Sequence, residues 1–272
     1  MSIRELMNRF SFEREHRKKN YDGVYIRRFA RPLSFALDRY SDDDIGALSG
    51  SIAYISRRDA ERHFQIIRRS LARVERCNRL LLEIGCGTGG YVRYMSRRAG
   101  IPAIGIDASS VAIATARKFV TPTTEFLCRD ARDCGLPRSF AGAALAIDTL
   151  HLTDDRSAVL DEISRVLAPS AALVITVLYT DQDIARAVLC WSAVLETAGF
   201  AVVAARNISE DWQRHMFAKH SWRWARRTRL RNVLGSWVEP ELKVSAAMLG
   251  LGSDGCSVAR GTFRFEFVAI RR

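Results

Sequence analysis

The spacing with the most chemistry in it lies between positions 81 and 90. Glycines 85, 87 and 89 follow the run Leu81-Leu82-Glu83-Ile84 and precede an amphipathic stretch. Glycine lacks a side chain where a backbone must turn sharply and come close to a ligand. An acidic residue, Asp107, ends the next apolar run, Ile104-Gly105-Ile106. A carboxylate at such a strand end accepts hydrogen bonds from both hydroxyls of a ribose. The glycine spacing is GxGxG, not the GxGxxG of dinucleotide sites, and Glu83 stands two residues before the first glycine.

Other residues with chemical capacity are more scattered. His151 follows Asp148 by three positions, and an imidazole with an ordinary pKa of about 6.5 suits a general base. An equal reading is that His151 orders its loop. His215 and His220 lie in a stretch rich in Trp and Arg, where packing or surface exposure is the plainer role. Tyr21 and Tyr25 are candidate catalytic groups near the N-terminus, or else core packing of a helix. The six cysteines, at 77, 86, 128, 134, 190 and 256, form no CxxC pair and accompany no His-rich spacing, so no metal site is expected. Cys86 and Cys128 fall in apolar runs, where buried reduced thiols are common.

These groups need elements to hold them. From about residue 60 short apolar runs alternate with amphipathic stretches, which predicts an α/β fold with a mostly parallel sheet. The spacing predicts helices over 60–77, 92–98, 109–119, 154–167 and 184–198. It predicts strands over 80–84, 103–107, 125–128, 142–148, 171–177 and 200–205. Phe263, Phe265 and Phe267 alternate with polar residues, predicting a final, half-exposed strand. Two regions break the rhythm. One is 1–59, Arg-rich and helical in pattern; the other is 207–261, with helical stretches near 210–234 and 239–249. The organisation expected is an N-terminal helical cap (1–59), a core (60–206), a helical insertion over the substrate (207–261) and a last core strand (262–272).

The chain has 272 residues, 48% hydrophobic and 26% charged, which supports a packed core and excludes a disordered chain. Its net charge of +12 invites an anionic partner. The charge is unevenly spread: residues 1–31 carry nine basic against four acidic side chains, and residues 201–235 eight against two, leaving +1 for the rest. Only five of the 42 cations are Lys, so Arg, whose planar fork suits phosphate and carboxylate, dominates. Residues 221–231 alone hold five Arg and two Trp. They form either a helix with a solvated basic face or a cap whose Trp walls an apolar ligand part while Arg223, Arg226 and Arg227 meet an anion. No apolar run approaches the ~18 residues of a membrane span. The polar N-terminus carries no secretory h-region, so a cytoplasmic location is expected.

In its ordered motifs the sequence resembles the class I S-adenosylmethionine-dependent methyltransferases, over about residues 60–205 and the last strand. The first motif is matched by Leu82-Glu83-Ile84-Gly85-Cys86-Gly87-Thr88-Gly89-Gly90, and the second by Gly105-Ile106-Asp107-Ala108-Ser109. The third is matched by Cys128-Arg129-Asp130-Ala131, and the fourth by Ala146-Ile147-Asp148-Thr149-Leu150-His151. The run 160–169 is similar to the family's helix ahead of its fifth strand.

The resemblance implies a Rossmann-like sheet with an antiparallel last strand and S-adenosylmethionine as cofactor, leaving as S-adenosylhomocysteine. It implies that Gly85, Cys86, Gly87 and Gly89 line the cofactor, with Glu83 as a second acidic group at the cleft. Asp107 and Ala108 would hold the ribose, Asp130 and Ala131 the adenine. Asp148 and Thr149 would sit near the methionine amine and sulfonium, where a carboxylate offsets the desolvation of a cation. His215, Trp222, Arg223, Arg226 and Arg227 are the candidate substrate contacts.

The acceptor expected is a small molecule, a specialised metabolite, in one version an anionic prenyl diphosphate methylated at carbon, whose carbocation aromatic faces would stabilise. RNA is an alternative acceptor, disfavoured because Thr149-Leu150-His151 is unlike the Pro-Pro-Tyr run of adenine amine methylation and no Pro-Cys pair is present. A third alternative keeps the cofactor but runs an isomerisation or cyclisation without methyl loss. Monomer and homodimer both remain open.

Overall fold

The computed structural model describes residues 55–179, 183–251 and 262–272. Among these, seven strands form one sheet: β1 (Leu81–Ile84), β2 (Ala103–Asp107), β3 (Thr124–Cys128), β4 (Ala141–Ile147), β5 (Leu167–Tyr179), β6 (Phe200–Asn207) and β7 (Phe263–Arg271). Their order is β3-β2-β1-β4-β5-β7-β6. The first five are parallel, and β7 runs antiparallel to both β5 and β6. Strand order reverses direction between β1 and β4, so a crevice opens outside their carboxyl ends, where open α/β sheets bind ligands.

Both faces of the sheet are covered at its centre, which is why β4 is an unbroken apolar run and β1 is apolar but for Glu83, every position of both being buried. On one face lie α1 (Arg57–Leu71), α2 (Gly90–Ala99) and α3 (Ser110–Arg117), packing Ile67, Met95 and Ile113 against Leu81, Leu145 and Val174. On the other lie α4 (Arg156–Val166) and α5 (Ile184–Thr197), packing Ile163, Trp191 and Leu195 against Leu82, Ile175 and Phe267. α1 opens with a capping box: the Asp59 N–H donates to Ser56 Oγ at 3.1 Å, and the Ser56 N–H donates to Asp59 Oδ2 at 3.3 Å.

The sequence-predicted helix over 60–77 begins three residues earlier and ends at Leu71; a turn and a short 3-10 segment (Arg76–Asn78) then lead into β1. The helical stretch expected near 210–234 is divided at Arg226 into α6 (Ser209–Ala225) and α7 (Arg227–Leu234), followed by a 3-10 turn and α8 (Glu239–Leu249). Trp212 and Met216 of α6 pack with Leu178, Phe217 and Met248, so the insertion rests on the end of β5.

Two expectations are corrected. Cys128 is exposed, because it is the last residue of the edge strand β3, past the covered position of Phe126 on the same face. The last strand is not half-exposed. It lies between β5 and β6, with Phe265 and Phe267 on one buried face and Arg264 and Glu266, 1% and 0% exposed, on the other. Charges tolerate such burial only when paired, and both are.

Candidate active site

The turn from β1 into α2 is built from left-handed backbone. Gly85, Gly87 and Gly89 have φ of 72°, 54° and 70°, a region costly to any residue with a Cβ. Two have a second constraint. A Cβ on Gly85 would run into the Thr149 side chain, and one on Gly89 into the Phe126 ring. The loop is thus pressed between the turn after β4 and the middle of β3.

Asp107, at the end of β2, ties this loop to the next. Gly87 N–H donates to its Oδ2 at 2.9 Å, and Ser109 N–H donates to its Oδ1 at 2.8 Å. The carboxylate is half-buried at the crevice, beside exposed Ala108. Glu83 lies beneath, fully buried. Burial, then the nearby Asp107 charge, pushes its carboxyl well above the usual range, opposed by the Val92 N–H. Its Oε2 has no hydrogen-bond partner among the described residues. Cys86 is buried, and burial followed by the charges of Asp107 and Glu83 raises its thiol, which makes it packing rather than a nucleophile. Asp130 is exposed just past β3, beside half-buried Ala131. Both its oxygens accept from the Arg132 guanidinium, at 2.9 and 2.6 Å, and these bonds hold its carboxyl below its ordinary value.

Past β4 the chain is held differently. Asp148 is non-glycine yet has φ of 52°. Its N–H donates to the Thr176 carbonyl at 3.1 Å, and Thr176 Oγ1 donates to its Oδ1 at 2.8 Å. Arg264 completes the grip, with Nε on Oδ1 at 3.0 Å and Nη2 on Oδ2 at 2.8 Å. Thr149 follows, its hydroxyl donating to the Ile147 carbonyl at 3.1 Å. His151 sits in the next short turn, half-buried, with its Nδ1 facing the Leu178 N–H at 3.5 Å. Desolvation pushes the imidazole down to about 4; Arg264 and Arg156 add to the shift and Asp148 opposes it.

Behind Arg264, a second buried cluster joins β7 to α1 and α2. Glu266 accepts from Arg62 Nε at 2.8 Å and from Arg62 Nη2 at 2.7 Å, and bonds His63 Nε2 at 2.8 Å. His63 Nδ1 in turn meets the Tyr91 hydroxyl at 2.8 Å. Sequence reasoning missed Arg264, Glu266, His63 and Arg62. The one signal available was a pair of opposite charges two apart among the phenylalanines of β7.

The predicted residues therefore divide. Glu83, the glycines, Cys86, Asp107, Ala108, Asp130, Ala131, Asp148, Thr149 and His151 all lie on loops or strand ends along the carboxyl edge of the sheet. Tyr21 and Tyr25 lie outside the described residues. In the insertion, His215 and Trp222 are half-buried, His220 is buried with Nδ1 on Ser245 Oγ at 2.9 Å, and Arg223 is buried. Arg226 is exposed with its guanidinium 4.6 Å from the Trp222 ring centre, and Arg227 stands 5.0 Å from that of Trp224. Among the described residues no group of His, Cys, Asp and Glu could hold a metal ion, and no helix is long and apolar enough to cross a membrane.

This arrangement agrees with what the chain is similar to. A family described as "Methyltransferase domain" matches residues 82–175. A fatty-acid O-methyltransferase of Mycolicibacterium smegmatis is 31% identical over 139 residues, half of this chain and 49% of the relative. A probable phthiotriol/phenolphthiotriol dimycocerosates methyltransferase of Mycobacterium ulcerans is 23% identical over 152 residues, 55% of this chain and 57% of the relative. The chain thus spans about half the length of the curated relatives it matches. The crystal structure of the [4+2]-cyclase SpnF has the same fold, with a TM-score of 0.63 at 20% identity over 87% of this chain and 93% of that one. The matched stretch runs from within β1 to the middle of β5, and it is there that the chain resembles the class I, S-adenosylmethionine-dependent methyltransferases.

Proposed function

We propose that this chain transfers the methyl group of S-adenosylmethionine to a small-molecule acceptor, a specialised metabolite. One observation carries the reading: three left-handed glycines lie beside a half-buried carboxylate, Asp107, already oriented by two backbone N–H groups. The residues fit the cofactor. Asp107 faces the crevice where a ribose diol would be held, and Asp130 lies exposed at the next strand end for the adenine. The unpartnered oxygen of buried Glu83 suits a cationic ammonium group.

When bound, S-adenosylmethionine supplies an electrophilic methyl group on a sulfonium. The chain's own part is placement, which can account for roughly 7–11 kcal/mol of a barrier. Thr149, packed on Gly85, would wall the cofactor on the β4 side. His151 is neutral at physiological pH and can take a proton from an O–H or N–H acceptor. The Trp- and Arg-rich insertion would cover the acceptor. In the anionic version of the acceptor, a prenyl diphosphate, Arg226→Ala and Arg227→Ala raise KM for the diphosphate and leave cofactor affinity intact; unchanged KM in both overturns that version.

The test is incubation of the protein with methyl-labelled S-adenosylmethionine and a small-molecule extract, read by mass spectrometry. The expected result is S-adenosylhomocysteine together with a product heavier by one CH2 unit. Label appearing in RNA, with RNA retention that falls steeply with salt, overturns the small-molecule acceptor. An acceptor consumed at unchanged mass without S-adenosylhomocysteine replaces methyl transfer by isomerisation or cyclisation.

A further inference from the structure

Arg264 is the largest fully buried side chain among the described residues, 1% exposed, and it comes from the strand most distant in sequence from the glycine loop. Its guanidinium engages both oxygens of Asp148 and, at 3.3 Å, Thr176 Oγ1. Its backbone is held by the insertion: the Arg264 N–H donates to Ser209 Oγ at 2.9 Å, and the Ile208 N–H donates to the Arg264 carbonyl at 2.8 Å. Asp148 sits in left-handed backbone, which an L-residue adopts at a cost and keeps only where its surroundings fix it. The next residue, Thr149, fills the space a Cβ on Gly85 would need. One residue, by its backbone and its side chain together, therefore links the start of the insertion to the turn after β4, which Thr149 presses on the glycine loop.

We propose that Arg264 is a positioning residue: by gripping Asp148 it fixes the turn 148–151 against the glycine loop, and by its backbone it ties that turn to the first helix of the insertion. The clamp also makes the fixed turn a wall of the cofactor site, and that part of the proposal rests on the functional reading above. Asp148, with its charge already matched by Arg264, then serves as the handle of the clamp rather than as the counter-charge of a ligand. A guanidinium is needed because its planar fork meets two carboxylate oxygens at once, which an ammonium cannot do.

The test compares wild type with Arg264→Lys and with the double variant Arg264→Met/Asp148→Asn, which removes both charges so that neither is stranded in the core. Hydrogen–deuterium exchange on the ligand-free protein is followed in peptides covering 147–152, 85–90 and 208–213, with β2 as internal control. Affinity for S-adenosylhomocysteine is measured by calorimetry alongside thermal unfolding. The expected result is at least tenfold faster exchange in the three peptides and at least tenfold weaker S-adenosylhomocysteine binding in both variants. The double variant should do this with a near-native Tm, which a purely structural role would not give. Unchanged exchange overturns the clamp whether or not the cofactor binds. Faster exchange with unchanged affinity overturns its role at the cofactor site. Wild type that fails to bind S-adenosylhomocysteine overturns the functional reading, while the exchange data still decide the clamp.

Discussion

Apart from buried Glu83, the two sides of the crevice hold their carboxylates in opposite ways. On the β1–β2–β3 side, Asp107 and Asp130 are half-buried and exposed, and their partners are backbone N–H groups and a surface Arg. On the β4–β5–β7 side, Asp148 and Glu266 are gripped by Arg264, Arg62 and His63 from inside the fold. Paired charges of the first kind contribute little to stability, whereas breaking a buried pair strands a charge in a medium of low polarity. The contrast teaches which side is built for a ligand to reach and which for rigidity. Perturbing the first side should change binding with little change in stability, and perturbing the second should change stability and the placement of His151.

The largest effect expected is on turnover at His151, the proposed base on the rigid side. If it takes the acceptor's proton, His151→Ala lowers kcat by about 10²–10⁴-fold. Because its imidazole is pushed down to about 4, the rate should be flat from neutral pH to about 5 and fall as pH drops through about 4. A limb near 6.5 in the pH–rate profile would show an imidazole in open solvent and break the assignment.

Next in size is Glu266→Ala. It removes the partner that Arg62 and His63 share and leaves Arg62 with Asp59 and His63 with Tyr91 around a buried hole, and removing one member of a buried pair costs about 3–5 kcal/mol. Urea denaturation measures this. The same carboxylate sets a pH window. Burial raises it, but the hydrogen bonds from His63 and Arg62 outweigh burial and bring it down to about 2. A depressed folded value means stability present above the unfolded value of about 4.3 and lost as pH falls toward 2. Wild type should lose about 3 kcal/mol across that window, and Glu266→Gln should lose markedly less. Parallel acid limbs in the two proteins would remove Glu266 from the account.

On the reachable side, the most damaging single change is Gly89→Ala. Its left-handed backbone costs an L-residue about 1–2 kcal/mol, and the Phe126 ring must move, an overpacking cost of about 1–3 kcal/mol. S-adenosylhomocysteine affinity should fall further than stability does, since the loop is the proposed cradle. Equal losses in both would place Gly89 with the rigid side instead.

The same contrast explains what the sequence disclosed. Glycine spacing and strand-end carboxylates are local signals, so Gly85, Gly87, Gly89 and Asp107 stand where their spacing placed them. Helix ends were less legible. The apolar spacing of 60–77 carries on past Leu71, where the helix ends, and nothing in the pattern marks Arg226 as a break. The network on β7 was illegible for a different reason. Polar residues alternating with phenylalanine look alike whether they face water or buried partners, and the partners of Arg264 and Glu266 lie 116 and 203 residues away. Only the sheet order, which puts β7 inside rather than at an edge, decides the matter.

The smallest effect expected is the sharpest test of the reachable side. Arg132 covers both oxygens of Asp130 from solvent, and 58% of its side chain is exposed. An exposed ion pair is screened by salt and contributes close to nothing measurable, so Arg132→Ala should leave the urea midpoint where it was. Binding is a separate matter. If Asp130 is to accept from the adenine amino group, its oxygens must turn from Arg132 to the ligand, and removing Arg132 spares that exchange. S-adenosylhomocysteine should then bind the variant as tightly as wild type or a few-fold tighter, and the difference should shrink as salt is raised. Clearly weaker binding would mean that Arg132 holds Asp130 in the geometry the adenine needs, which would move this carboxylate to the same class as Asp148 and erase the distinction between the two sides at that position.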